Sequence, residues 1–188
     1  MAQHQGYATS EGAGNPLRGA ALAETSESVQ PITSSNDPVI VVAVDFSEDS
    51  KAALIWAGGY AAQTGSRLVA LHVVHDPGEA PGSYRQSDED LLRPMADVAA
   101  KKLESFLQEA AVEHPLCAPL QDAEAALVTG IPATRILEFA ESRHARGIVV
   151  GSRGRTGLPH LLLGSVSERI AQLSPVPVTI VKVDASDV

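Results

Sequence analysis

The sequence predicts a single α/β domain, an open parallel sheet with right-handed crossovers and helices on both faces. Three observations predict it. Five β-branched apolar runs alternate with helix-like stretches, the first run is apolar without interruption, and the residues of chemical interest collect where the runs end. The length of 188 residues fits one domain, or at most two small ones. A domain of about 150 residues buries roughly 68–70% of the surface its unfolded chain exposes, so no metal or disulfide staple is required.

Residues 1–37 are Ser, Thr, Gly, Gln, Ala and Glu, with Arg18 the only base against Glu11, Glu24, Glu27 and Asp37. That composition cannot bury enough apolar surface to offset chain ordering, and a disordered extension is expected. Within it, residues 17–22 are the one piece suited to a turn of helix or to docking on a partner. The folded domain is expected over residues 38–188.

Val39-Ile40-Val41-Val42-Ala43-Val44 is the first strand, and its unbroken apolar character places it centrally, covered on both faces. Ser47 caps the next helix, with Glu48 and Asp49 as acids in its first turn. That helix carries Ala52, Leu54, Ile55, Trp56 and Ala62 and stops at Gly65. The second strand is Leu68-Val69-Ala70-Leu71-His72-Val73-Val74. Residues 76–88, rich in Gly, Pro, Ser and charge, read as a mobile loop. Over residues 89–113, Leu92, Met95, Ala99, Leu103, Phe106 and Ala110 recur at spacings of three and four, which predicts a long amphipathic helix. Pro94 belongs in its first turn or just before a restart.

The third strand is expected near residues 123–128, ended by Gly130. Ile131-Pro132 opens a helix with Ile136, Leu137, Phe139 and Ala140 apolar, and with Arg143, His144 and Arg146 near its negative C-terminal end. Gly147-Ile148-Val149-Val150 is the fourth strand. A glycine-rich loop, a helix over residues 165–173 and a fifth strand over residues 176–183 complete the domain.

Ligands of open parallel sheets bind beyond the C-terminal strand ends, near the point where strand order reverses. The stretch from Gly151 to Ser165 leaves such an end and reads G-x2-G-x9-G-S, through Gly151, Gly154, Gly164 and Ser165. Gly151 and Gly154 let the backbone turn and bring its N–H groups close to an anion. Gly164 and Ser165 stand at a helix start, where free N–H groups, the positive dipole end and a hydroxyl converge.

This spacing, preceded by Val149-Val150 and followed by Val166, closely resembles the ATP-binding motif of the universal stress proteins. Four further segments share the resemblance: Val41-Val42-Ala43-Val44-Asp45-Phe46-Ser47, Leu71-His72-Val73-Val74, Gly130-Ile131-Pro132 and Pro175-Val176-Pro177-Val178. Together they span about residues 38–183. The resemblance implies a five-stranded parallel sheet in the order 3-2-1-4-5, a Rossmann-like fold of the adenine nucleotide alpha hydrolase kind. It implies ATP as ligand, with Mg2+ held mainly by the phosphates and Asp45 as a possible helper. Ala43, Val44, Asp45 and Val73 would frame adenine and ribose, Val150 and Gly151 would line the same cleft, and Gly154, Gly164, Ser165 and Val166 would hold the triphosphate. Arg153 and Arg155 lie in the variable part of that motif, and either one would add charge near the β or γ phosphate. A homodimer through the last strand, using Val178, Ile180 and Val181, is implied as well.

Other chemistries are disfavoured by the residues themselves. A net charge of −9 with a pI near 5.0 argues against broad nucleic-acid affinity. Cys117 stands alone, which excludes an internal disulfide or a cysteine zinc cage, fits a reducing compartment and reads as a buried structural thiol. Residues 1–10 hold no signal-peptide core and no stretch approaches ~18 apolar residues, so a soluble, cytoplasmic protein without membrane partners is expected. His72, His75 and Asp76 suggest a metal cluster, but neighbours at odd spacing on a strand face opposite ways, and no metal site is assigned. His144 and His160 read as a helix-end and a loop residue.

G-x-x-x-x-G-K-[ST] and G-x-G-x-x-G are both absent. The turn after the first strand lacks the Ser-Gly-Gly element of the ATP pyrophosphatases. No catalytic residue is assigned. The leading expectation is a nucleotide-responsive dimeric regulator of the stress response; the alternatives are a slow ATPase or autokinase, and a structural dimer with a vestigial nucleotide site.

Overall fold

The computed structural model describes residues 21–22, 37–75, 89–154 and 163–183. In chain order its elements are β1 (Ala21–Leu22), β2 (Val39–Ala43), α1 (Glu48–Thr64), β3 (Arg67–His75), α2 (Glu89–Glu113), α3 (Ala118–Gln121), β4 (Glu124–Gly130), α4 (Pro132–Ser142), β5 (Ala145–Gly151), α5 (Ser165–Leu173) and β6 (Val178–Val181). Every strand pairing is parallel, and the sheet runs β1-β4-β3-β2-β5-β6. Counted from β2, the five main strands stand in the expected order 3-2-1-4-5.

β2 shows why its sequence is apolar throughout. Ile40, Val42 and Val44 project into a layer with Leu54 and Ala57 of α1, Leu103 and Leu107 of α2, and Leu120 of α3. Val39 and Val41 project the other way, against Ala133 and Ile136 of α4 and Ile170 of α5. Period-two alternation therefore delivers apolar side chains to both cores. α1 lies close to the sheet because its buried stripe is small: Asp49, Ala53, Ala57 and Ala61 fall four apart. Ser47 caps it by accepting the Ser50 N–H at 3.2 Å, and Gly65 ends it in the left-handed conformation, φ 61°.

Several boundaries depart from the sequence reading. β5 begins at Ala145, so Arg146 is an outward strand residue rather than a helix-end cation; the chain turns at His144, whose φ is 50°. β4 extends to Gly130. β6 covers only Val178–Val181, while the Pro177 carbonyl accepts the Ile148 N–H at 2.9 Å just before the strand. α2 continues through Pro94 in its second turn, and Met95 is exposed instead of facing the core. α3 is a single turn that periodicity does not reveal. It seats Leu120 against Gly58, where an added Cβ would come within 2.6 Å of Leu120 Cγ. Cys117 is half-buried against the same cluster rather than sealed within it.

Within the extension expected to be disordered, Ala21 and Leu22 pair with Ala126 and Leu127 and add a short strand outside β4. The expected loop at residues 76–88 lies outside the described residues.

Candidate functional site

Strand order reverses between β2 and β5, the switch point beyond whose strand ends open parallel sheets hold their ligands. Ala43, Val73 and Val150 all belong to the α4/α5 layer, so the structure brings these three predicted residues to one face at neighbouring strand ends. Val44 does not join them. Its side chain is buried in the opposite layer, its N–H donates to Leu71 O at 2.8 Å, and its carbonyl lies 2.7 Å from His72 Nδ1, which must therefore carry the proton. His72 is thus a core residue that supports the end of β2.

Asp45 follows β2 with Val44 between them. Its Oδ1 accepts the Ser47 N–H at 3.0 Å and the Ser47 hydroxyl at 2.5 Å. Phe46 between them sits at φ 67°, a conformation uncommon outside glycine. Its ring offsets that strain through contacts on several sides: His72 at 4.4 Å, Phe106 edge-on at 5.6 Å, and the Lys102 ammonium 4.4 Å above the ring.

The loop that leaves β5 begins in close packing. Gly151 presses on the first turn of α1, where an added Cβ would lie 2.8 Å from the main-chain carbon of Asp49. Its carbonyl accepts the buried Ser167 hydroxyl at 2.7 Å. Ser152 N–H donates to Val181 O, and Ser152 O accepts the Gly164 N–H, each at 2.7 Å. The two ends of the motif therefore meet. A Cβ on Gly164 would stand 3.4 Å from Ser152 O and 3.7 Å from Gly154 N, and a Cβ on Gly154 would stand 2.9 Å from Asp45 Oδ2. α5 starts at this junction with Gly164 as a cap that offers no side-chain hydrogen bond. The first-turn N–H groups of a helix lack intrahelical partners and carry its positive dipole end. Ser165 and Val166 are exposed beside them.

Arg153, expected near a terminal phosphate, pairs with Asp49. Its Nε donates to Asp49 Oδ2 and its Nη2 to Asp49 Oδ1, both at 3.1 Å, and Nη2 also reaches Val183 O at 2.9 Å. Burial alone would raise the pKa of Asp49; the hydrogen bonds from Arg153 and Ser152 and the Arg153 charge outweigh it, and the net shift is downward from 3.8. Arg155 lies outside the described residues.

Asp49, Ser152 and Ser167 escaped the sequence reading. For Asp49 a signal existed, because it is in phase with the buried stripe of α1 and an acid there must find a partner. Among the described residues no group of three or more His, Cys, Asp or Glu is placed to hold a metal ion, and no helix is long and apolar enough to cross a membrane.

An open, doubly wound parallel sheet with glycines gathered at its switch point defines an α/β protein of the Rossmann-like class. Residues 38–182 match the Universal stress protein family. The chain belongs to that family. A universal stress protein of Methanocaldococcus jannaschii is 33% identical over 147 residues, covering 76% of this chain and 81% of its own length. Universal stress protein UspA from Lactobacillus plantarum shares the fold with a TM-score of 0.63, at 24% identity over 79% of this chain and 99% of its own. A universal stress protein solved in complex with cAMP aligns with a TM-score of 0.53, at 25% identity over 77% of this chain and 95% of its own.

Proposed function

We propose that this chain binds ATP in the switch-point cleft and acts as a cytoplasmic, nucleotide-responsive dimeric regulator of the stress response. The observation that carries the reading is the meeting of Gly154 and Gly164 at the uncapped start of α5. A side chain at Gly154 would displace the Asp45 carboxylate, one at Gly164 would begin in contact with Ser152 O, and the backbone cradle that the two glycines leave beside the helix start suits the phosphates of a nucleotide. Gly154, Gly164, Ser165 and Val166 hold the phosphates, with Mg2+ carried on them. Ala43, Val73 and Val150 offer apolar contact to the base, Asp45 stands at the ribose, and Val44 and Gly151 contribute main chain. The cAMP complex of a structural neighbour supports an adenine nucleotide as the ligand class.

Mg-ATP at about 100 times its dissociation constant stabilises the folded state by ~2.7 kcal/mol. For a chain of this size that raises the unfolding midpoint by roughly 5–10 °C. Gly164→Glu, which puts bulk and a negative charge at the helix start, is expected to abolish the rise. Thermal unfolding of both proteins with and without Mg-ATP makes the check. An equal shift in both would move the site elsewhere, and no shift in nucleotide-free wild type would favour a vestigial site.

Dimerisation is assigned to β6. Among the described strands it pairs with β5 alone, and Ile180 is 39% exposed on it. Val178 leans on the α4/α5 layer and Val181 on the α1 layer, so a second copy would meet side chains from both layers around an open main-chain edge. Sizing chromatography should show a dimer, reduced to monomer by Ile180→Lys. A monomeric wild type would overturn the assignment.

A further inference from the structure

Asp49 is 5% exposed and receives donors from three groups of the loop: the Ser152 hydroxyl at 2.7 Å, the Arg153 N–H at 3.0 Å, and the Arg153 guanidinium through Nε and Nη2. Its own backbone cannot retreat, because it lies against Gly151. From this anchor Arg153 reaches the Val183 carbonyl at 2.9 Å, two residues past β6. The preceding residue does the same through its main chain, Ser152 N–H to Val181 O at 2.7 Å. Residues 152 and 153 thus hold the end of the edge strand, while Ser152 O and Gly154 belong to the glycine cradle.

We propose that Arg153, anchored by Asp49, is a positioning residue that couples the cradle to the end of β6, so that ordering at one is felt at the other. What fills the cradle rests on the nucleotide reading above; the linkage does not. A planar guanidinium can satisfy a carboxylate and a carbonyl at once, whereas a lysine ammonium is a single point of charge. Coupling between two sites is reciprocal. A ligand that orders residues 152–154 therefore also steadies residues 178–183, and pairing of the edge strand tightens the cradle.

Amide hydrogen exchange on the full chain tests this in wild type, Arg153→Lys and Arg153→Met, with and without Mg-ATP. Without nucleotide, both variants should exchange faster over residues 152–154 and 178–183 by about fivefold, the factor that losing one such hydrogen bond supplies, while α4 keeps its protection. With Mg-ATP, wild type should slow in both segments and Arg153→Lys only near residues 164–168. Wild-type exchange over residues 178–183 in both variants would overturn the linkage whatever the nucleotide does. A wild type indifferent to Mg-ATP would remove the nucleotide reading alone, and the nucleotide-free comparison would still decide the linkage.

Discussion

A Gly151→Ala variant is expected to lose about 3 kcal/mol of stability, lowering the unfolding midpoint by roughly 6–12 °C for a chain of this size. The new methyl group would stand 2.8 Å from the main-chain carbon of Asp49, 2.9 Å from its Cβ and 3.0 Å from its carbonyl oxygen. Two of these atoms are backbone and cannot rotate aside. Either α1 lifts from β5, opening the layer that holds Leu54 and Ala57, or the end of β5 bends away from β2. Gly59, on the same helix, has nothing within 4 Å of its missing Cβ. Gly59→Ala is the internal control and should gain about 0.5–1 kcal/mol. Thermal unfolding of the pair checks the contrast, and equal midpoints would refute it.

Asp49→Ala should be comparably damaging, at about 3 kcal/mol, the lower part of the range for breaking a buried ion pair. The lower part applies because the Arg153 side chain keeps 27% exposure and can rehydrate. Ser152, which is buried, and the Arg153 N–H would still lose their acceptor. The same carboxylate makes stability depend on acid. Its folded pKa is depressed below 3.8, so its contribution is complete above that value and is lost as pH falls through the folded pKa. The stability gap between wild type and Asp49→Asn should therefore narrow below about pH 4. Denaturant unfolding at about pH 7 and about pH 3 measures it, and an unchanged gap would show that Asp49 gains nothing from its charge.

Most of the sheet was legible because burial on two faces leaves a plain mark. Val39 to Val44, apolar throughout, and Leu68 to Val74, apolar but for His72, fit only strands with helices covering both sides. Elements that depend on distant partners were not legible. Arg153 looks like a solvent-facing loop arginine until Asp49, 104 positions earlier, is folded against it. Arg146 follows a helix and reads as its terminal cation, yet it is the one outward residue near the start of a buried strand. α3 and β1 are too short for any period to register. At the site, spacing alone located the glycines correctly at the end of β5 and the start of α5. Which side chains share a face required register: Ala43, Val73 and Val150 lie on the α4/α5 layer, whereas Val44, adjacent to Ala43, turns to the other layer.

Ala21 and Leu22 pair opposite the middle of β4, leaving Glu124–Ala125 on one side of the contact and Val128–Gly130 on the other. Runs of two and three residues are too short to seat another strand of ordinary length. Among the described strands the sheet therefore has one interrupted margin and one continuous margin. A subunit with two usable margins adds copies head to tail into an open filament, whereas one with a single usable margin stops when that surface has met its own twin. With copies pairing through β6 as proposed above, the short N-terminal strand would act as a chain terminator, leaving the opposite margin unfit to continue the assembly.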